Sequence, residues 1–251
     1  DFLVKSLIPE GVITMLSGNP GCGKSWLMLE IAKCVGCGDP LFTGGNITPE
    51  SIDRFKTKNV NVLYIDEESH LSEIKRRWKM LKPPILDLVD FMSMQDFKID
   101  DDSKRKGLLD FIDYQKYGLV IFDSLVDLHT KNENDAQQIQ IIINYFREIT
   151  KRGVTVLIAH HNRKESYTSP NNASQKLRGS TAIPAGVDCH LSIDKSKTVD
   201  GKRELIISHS KLRQGKEILP FKVHLIEKDN GMIIEYAGEV EERENKLQQA
   251  K

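Results

Sequence analysis

The segment that decides the fold is Gly18-Asn19-Pro20-Gly21-Cys22-Gly23-Lys24-Ser25, which matches the spacing Gly-x-x-x-x-Gly-Lys-Ser/Thr. The apolar run Val12–Ser17 before it has the length of a buried strand, and Trp26–Lys33 after it has the apolar spacing of a helix. A loop between a strand and a helix N-terminus points backbone N–H groups at an anion. We therefore predict a loop that binds the phosphates of a nucleoside triphosphate.

The residue types of this loop suit that chemistry. Glycine at positions 21 and 23 permits backbone conformations and close approaches that a side chain would block. Lys24 is expected to reach the β- and γ-phosphates, and the hydroxyl of Ser25 is expected to coordinate Mg²⁺. With ATP and Mg²⁺ as the expected ligands, the predicted nucleotide-binding residues are Gly18, Asn19, Pro20, Gly21, Cys22, Gly23, Lys24, Ser25 and Trp26.

A second strand-like run, Leu119–Phe122, ends in Asp123. A carboxylate at this place is expected to hold Mg²⁺ beside the phosphate loop. Asp123 is followed by Ser124, whereas an ATPase that places its base directly after this acid has Glu there. We therefore expect the base that activates the attacking water to come from elsewhere in the chain.

A third run, Val62–Ile65, ends in the acids Asp66, Glu67 and Glu68. Adjacent parallel strands end at the same edge of a sheet, so we expect Glu67 or Glu68 to face the γ-phosphate from a strand beside the phosphate loop. The alternative is that these acids only stabilise the N-terminus of the following helix through its dipole.

Composition and charge exclude several classes of protein. The chain has 251 residues, and its 36 basic residues balance its 36 acidic residues, so any nucleic-acid site has to be a local patch. No run approaches about 18 consecutive apolar residues, the length of a membrane-spanning helix, and we expect a cytoplasmic protein without a membrane partner. The four cysteines are too few for a disulfide framework.

The alternation of short apolar runs with segments of helical period is typical of βαβ units. It predicts an α/β fold with a mostly parallel, twisted sheet flanked by helices. After about residue 185 the strands become closely spaced, which indicates a C-terminal antiparallel β extension whose last two strands meet at a turn over 228–231. We expect one domain over residues 1–238 and a charged tail over 239–251. The predicted strands before the extension are 12–17, 60–65, 89–93, 119–122 and 154–159.

The order of these elements resembles the RecA-like family, in particular its branch of hexameric replicative helicases and plasmid-replication RepA proteins, loosely called AAA-type ATPases. The likeness extends from about Ile8 to Tyr236. In that family a glutamate closes the strand after the phosphate-loop helix, in runs similar to Val-Leu-Tyr-Ile-x-x-Glu, and this favours Glu68 over Glu67 as the base. The run that begins at Val154 resembles the family's strand that ends in a γ-phosphate sensor, a Gln or His, which places that role on His160.

The resemblance also covers two basic elements after the sensor. The family's DNA-facing loop corresponds to the polar stretch that holds the predicted nucleic-acid-binding residues Arg163, Lys164, Lys176 and Arg178. The alternative is an ordinary solvated loop. The tripeptide Lys211-Leu212-Arg213 resembles the family's Lys-x-Arg element, whose cations enter the neighbouring subunit's site to stabilise charge on the γ-phosphate.

The resemblance thus implies Mg²⁺-dependent ATP hydrolysis by a homo-oligomeric motor, a hexameric ring that acts on single-stranded DNA as a replicative helicase or translocase. The catalytic residues that it implies are Lys24, Glu68, His160, Lys211 and Arg213, with Ser25 and Asp123 as metal ligands. A KaiC-like signalling ATPase that acts on proteins is one alternative, and a nucleotide-gated loader or scaffold with little turnover is another. A GTPase is less favoured because the chain has no Asn-Lys-x-Asp motif, and a small-molecule kinase leaves the basic elements unexplained.

Overall fold

The computed structural model describes residues 1–44, 49–85, 87–162, 182–199 and 201–240. Its helices are α1 (Lys24–Cys37), α2 (Pro49–Arg54), α3 (Leu71–Met80), α4 (Asp102–Gln115), α5 (Ala136–Thr150) and α6 (Ala182–Gly186). Its strands are β1 (Phe2–Val4), β2 (Ile8–Pro9), β3 (Ile13–Gly18), β4 (Asn61–Asp66), β5 (Val89–Ser93), β6 (Tyr117–Asp123), β7 (Thr155–His161), β8 (Cys189–Val199), β9 (Lys202–Leu212), β10 (Phe221–Lys228) and β11 (Gly231–Glu239).

The described strands form a nine-stranded sheet in the order β11-β10-β9-β8-β3-β7-β6-β4-β5, together with the small pair β1-β2. From β8 to β5 every neighbouring pair is parallel. From β8 to β11 every neighbouring pair is antiparallel. The predicted α/β fold with a C-terminal antiparallel extension is therefore confirmed.

Parallel pairing brings the ends of four strands to one edge of the sheet, which we call the phosphate rim. Gly18 pairs with His161 at the ends of β3 and β7, and Asp66 pairs with Asp123 at the ends of β4 and β6. Because β7 also pairs in parallel with β6, all four residues lie along the same edge. Ligands of open α/β sheets bind at this edge.

The sheet is buried on both faces because alternate residues of each strand enter opposite cores. On one face, here the α1 face, Leu16 of β3 packs with residues of α1 and α3. On the other, the α5 face, Met15 packs with residues of α4 and α5. Whether a side chain at the rim lies on the α1 face or the α5 face therefore depends on whether its residue number along the strand is odd or even relative to its neighbours.

Local signals in the sequence account for most element ends. Asp135 caps α5 by accepting hydrogen bonds from the N–H groups of Gln137 and Gln138. Asp229 and Asn230 both have positive φ, 50° and 55°, as a type I′ hairpin turn requires.

None of the helices in the described ranges is long and apolar enough to cross a bilayer.

Candidate nucleotide and metal site

The phosphate loop connects the end of β3 to the start of α1. Gly21 and Gly23 have φ of 71° and 114°, a region that side chains disfavour, as predicted for this loop. A Cβ on Gly23 would lie 3.2 Å from a methyl group of Leu225 and 3.3 Å from one of Leu205. The antiparallel extension therefore packs directly against the loop and supports its conformation.

Lys24 is buried, with 5% of its surface exposed. Its Nζ donates hydrogen bonds to the carbonyl oxygens of Gly18 at 2.9 Å and Asn19 at 3.1 Å. Burial lowers the pKa of Lys24, and the nearby Cys22 thiol and the carboxylates of Asp123 and Glu68 act in the opposite direction. The ammonium group thus lies at the phosphate rim within electrostatic range of both predicted acids.

The histidine in contact with Lys24 is His161, one residue beyond the predicted sensor. The Nδ1 atom of His161 lies 3.2 Å from Lys24 Nζ. His160 is buried, and its Nδ1 lies 3.9 Å from Glu133 Oε1 on the α5 face. Successive residues of a strand point to opposite faces, so only one of the two can meet the phosphate loop. The structure therefore brings His161, and not His160, into contact with the phosphate-loop lysine, and the sensor role stays a prediction.

Asp123 ends β6 as predicted and lies buried at the rim, with 5% of its surface exposed. Its Oδ2 accepts a hydrogen bond of 2.9 Å from the hydroxyl of Tyr64, a residue of the neighbouring strand β4. Ser124, which takes the place of a glutamate base, is fully buried and donates its hydroxyl proton to Asp127. The base therefore does not come from position 124.

The three acids at the end of β4 have three different environments. Asp66 Oδ1 accepts the N–H groups of Glu68 and Ser69, at 2.8 and 2.7 Å. Glu67 accepts the N–H groups of Gln95 and Phe97, one on each carboxylate oxygen, both at 3.1 Å. Asp66 therefore holds the turn that carries Glu68, and Glu67 holds the segment after β5.

Glu68 is the acid of this group that interacts electrostatically with Lys24. Partial burial raises its pKa, followed by the charges of Asp127 and Asp123, while Lys24 and Arg77 lower it. A raised pKa brings a carboxylate closer to the basicity that suits proton abstraction from water. This environment supports the choice of Glu68 over Glu67.

One predicted relationship between strands is wrong. We expected the strand that ends in these acids to lie beside the phosphate-loop strand, but β7 and β6 lie between β3 and β4. Three strand spacings separate the two, about 14 Å. The acids still share a site with Lys24 because Glu68 follows β4 on a turn beyond the rim, within electrostatic range of the lysine.

The donor atoms at the rim suit a magnesium ion. Ser25 is half-buried in the first turn of α1, and Asp123 provides a carboxylate on the same face of the sheet. Mg²⁺ prefers oxygen ligands and commonly takes one or two from the protein and the rest from phosphates and water. A hydroxyl and a carboxylate are therefore a chemically adequate pair, and Ser25 and Asp123 are the residues that would hold the ion.

Residues 1–167 match a family model described as an AAA domain. The chain belongs to the AAA domain family. The matched part contains the phosphate loop, Glu68, Asp123, His160 and His161. The chain is therefore a nucleotide-binding P-loop ATPase. No curated protein matches the chain.

Lys211 and Arg213, which follow the matched residues 1–167, lie far from the phosphate loop of their own chain. Ile207 of β9 pairs with Ile193 of β8, which in turn pairs with Gly18 at the end of β3. Leu212, the last residue of β9, pairs with Cys189 at the opposite edge of the sheet. On β8, four residues separate the two levels, about 13 Å. The Lys-x-Arg element therefore does not join the site of its own chain.

Both cations of this element bind backbone atoms of their own chain. Lys211 Nζ donates to the carbonyl oxygens of Pro184, Ala185 and Val187. Arg213 bridges Asp188 Oδ1, at 3.0 Å, and Ala185 O. About half of the Arg213 side chain, 49%, is exposed. The predicted nucleic-acid-binding residues Arg163, Lys164, Lys176 and Arg178 lie outside the described residues.

Sequence analysis missed three residues of the AAA domain's site. Tyr64 donates a hydrogen bond to Asp123, Asp66 holds the turn before Glu68, and His161 contacts Lys24. The alternation of strand residues contains a signal for the first two, since Tyr64 and Asp66 are two residues apart and share a face. For His161 the signal is its pairing with Gly18. This pairing can be inferred only when β7 is known to be the neighbour of β3.

Proposed function

We propose that this AAA domain hydrolyses ATP with Mg²⁺ as an oligomeric motor on single-stranded DNA, of the helicase or translocase type used in replication. The observation that carries the proposal is the contact between His161 and Lys24 at a rim that also holds Asp123 and Glu68. Directly after β7, which supplies His161, the sequence continues into the stretch that holds the four basic residues.

The chemistry assigned to each residue follows from its place. Ser25 and Asp123 hold the Mg²⁺ ion, which when bound neutralises phosphate charge. Glu68 accepts a proton from the water that attacks the γ-phosphorus, and the bond from that phosphorus to the bridging oxygen of ADP breaks. Lys24 stabilises the negative charge that develops on the phosphate oxygens.

Coupling to DNA is assigned to His161 and the segment after it. A triphosphate competes with His161 and two backbone carbonyl oxygens for the ammonium group of Lys24. Loss of the γ-phosphate lets these contacts form again, so the position of His161 depends on the state of the nucleotide. A basic segment of this kind binds the phosphate backbone without reading the bases.

Oligomerisation is assigned to the Lys-x-Arg element. Arg213 lies too far along β9 to reach the phosphate loop of its own chain, so the cation has a catalytic use only in a neighbouring copy. A ring of such copies places one Arg213 at each site. We propose a hexamer because the resemblance is to hexameric motors.

The test is the rate of ATP hydrolysis and the native mass, each measured with and without single-stranded DNA. We expect a nucleotide-dependent oligomer whose hydrolysis DNA accelerates, and Lys24→Ala to reduce hydrolysis about 10²- to 10³-fold, as loss of a group that stabilises transition-state charge does. Replacing Arg163 and Lys164 by Ala should weaken the DNA stimulation. The matched control replaces the exposed Lys106 and Lys151, which lie on α4 and at the end of α5, and should not weaken it.

Other outcomes would identify a different function. Hydrolysis that does not respond to DNA would support a signalling ATPase that acts on proteins. Nucleotide-dependent assembly with little turnover would support a loader or scaffold. No binding of nucleotide would overturn the proposal entirely.

A further inference from the structure

Tyr64 donates a direct hydrogen bond to Asp123, the residue proposed to hold the metal ion. The side chain of Tyr64 is among the largest that are fully buried in the described part of the chain. Its hydroxyl lies 2.9 Å from Asp123 Oδ2. A buried bond between a phenol and a carboxylate holds both groups in one orientation.

The strand register explains why this tyrosine reaches this acid. Tyr64 is in register with Ile121, two residues before Asp123 on the neighbouring strand, so Tyr64 and Asp123 are diagonal neighbours on the same face. A long aromatic side chain spans such a diagonal. The face is the α1 face, from which the helix carrying Lys24 and Ser25 starts.

Tyr64 is the donor of this hydrogen bond. A phenol carries one proton at neutral pH, and Asp123 Oδ2 accepts it. The bond uses Oδ2, so Oδ1 is the oxygen of Asp123 that remains for a metal.

Asp66 does not take over this role, although it lies directly opposite Asp123 in the register. Its Oδ1 is engaged by the two N–H groups of the turn before Glu68. Asp66 therefore holds the backbone of this turn, whereas the hydrogen bond from Tyr64 holds the side chain of Asp123.

We propose that Tyr64 is a positioning residue for the metal site: its phenol fixes Asp123 Oδ2 and thereby presents Oδ1 to the divalent cation. The inference rests on the proposed Mg²⁺-dependent function and adds a residue to it. A partner that orients a metal ligand in this way contributes to metal affinity and not to the contacts of the nucleotide itself.

The experiment measures binding of Mn²⁺, as a stand-in for Mg²⁺, to the protein with ADP, by electron paramagnetic resonance. Tyr64→Phe should weaken Mn²⁺ binding about 10- to 100-fold, the range for partners of metal ligands. ADP binding in the presence of EDTA should equal that of the wild type. This second readout separates loss of metal positioning from general damage to the phosphate loop.

The chain offers a matched control in Tyr117. Its hydroxyl donates to Asp90 Oδ2 at 2.5 Å, from a buried tyrosine of β6 to an exposed acid of β5, two strands away and at the opposite end of β6 from Asp123. Tyr117→Phe removes the same chemical group from another hydrogen bond between a tyrosine and an aspartate. It should leave Mn²⁺ affinity unchanged.

Each outcome decides between the inference and the proposed function. Wild-type Mn²⁺ affinity in Tyr64→Phe would overturn the inference alone, since the wild type would still bind metal and nucleotide. A wild type that binds ADP no better with metal would overturn the proposed metal-dependent function first.

If Tyr64→Phe does not fold, 3-fluorotyrosine at position 64 keeps the hydroxyl, and its fluorine resonance should shift on adding ADP with Mg²⁺. No shift there, or an equal shift with the label at position 117, would overturn the inference.

Discussion

At the scale of single residues, neighbouring acids at the phosphate rim have separate tasks. Asp66 and Glu67 accept backbone N–H groups of two different segments, whereas Glu68 interacts with Lys24 and Asp123. The separation follows from the end of β4 at Asp66, after which the chain turns and each side chain points in a new direction. Replacing Asp66, Glu67 or Glu68 should therefore have different effects, although the three acids are adjacent in the sequence.

We expect Glu68→Gln to retain ATP binding and to lower the turnover number about 10²- to 10⁴-fold, because the amide has the same shape but cannot accept the proton. Glu67→Gln is the control. It loses one of two acceptors for backbone N–H groups and should lower the free energy of unfolding by about 1–3 kcal/mol while turnover persists. Steady-state hydrolysis, nucleotide titration and urea unfolding measure these effects. The reverse pattern would assign the base to Glu67.

Asp66 makes stability depend on pH in a defined direction. Burial, followed by the charge of Asp123, raises the pKa of Asp66 from 3.8 to about 6. The folded state therefore binds this proton more tightly than the unfolded state, so the contribution to stability is complete below pH 3.8 and is lost as the pH rises through about 6.

Asp66→Asn should remove this dependence, because the amide oxygen still accepts the N–H groups of Glu68 and Ser69 but carries no charge. The difference in free energy of unfolding between the variant and the wild type should increase in favour of the variant by roughly 3 kcal/mol between pH 4 and pH 7. Urea unfolding in EDTA at a series of pH values measures it. A difference that stays constant with pH contradicts the assignment.

At the scale of elements, α4 shows how a helix can form from an unpromising pattern. Asp101 caps it by accepting the N–H groups of Ser103 and Lys104, but Gly107 interrupts its first turns. Few of its residues are buried, and Leu108, Leu109 and Ile112 supply the contacts with the core on the α5 face. Packing against the sheet therefore decides this helix more than its intrinsic propensity does.

Gly107→Ala should stabilise the protein by about 0.5–1 kcal/mol, since alanine is the better helix former and a Cβ at this position meets no atom within 4 Å. The same change at Gly21 also meets no atom within 4 Å, but there φ is 71°. Gly21→Ala should therefore destabilise the protein and weaken nucleotide binding. Thermal unfolding with and without ADP compares the two, and equal shifts would contradict the backbone explanation.

At the scale of the whole molecule, the sheet separates two groups of functional candidates. Lys24, Asp123 and Glu68 lie at the phosphate rim, and Lys211 and Arg213 lie at the opposite edge. A single chain cannot bring the two groups together because the strands between them are paired in a continuous ladder. Any joint action of the two groups requires a second copy.

Mixing variants tests this joint action. A Lys24→Ala subunit lacks the lysine of its own site but still offers an intact Arg213 to its neighbour. An Arg213→Ala subunit keeps its lysine but has no arginine to offer. Each variant alone should hydrolyse ATP slowly, whereas an equal mixture should recover part of the wild-type rate, because some sites then combine an intact Lys24 with an intact Arg213. The measurement is the hydrolysis rate against mixing ratio. A rate equal to the average of the two variants at every ratio would exclude a shared site.

Much of the fold was predictable because its signals are local. The strand β5 has the predicted bounds, and the other strands predicted before the extension differ from the structure by one or two residues at each end. The phosphate loop and the acids that end β4 and β6 were also predicted. The neighbour of β3 was predicted wrongly, and the contact of His161 with Lys24 was not predicted, since pairing between distant strands leaves no mark in a local pattern.

By itself, the sequence determined the phosphate loop, the α/β class and the acids at the strand ends, because glycine spacing and apolar period act over a few residues. Only the tertiary structure decided that His161 meets Lys24, that Tyr64 bonds Asp123, and that Arg213 lies at the far edge. These relationships depend on strand order and register. Both are set by burying the two faces of one sheet, and a shift of one residue in any strand would turn its side chains to the opposite face.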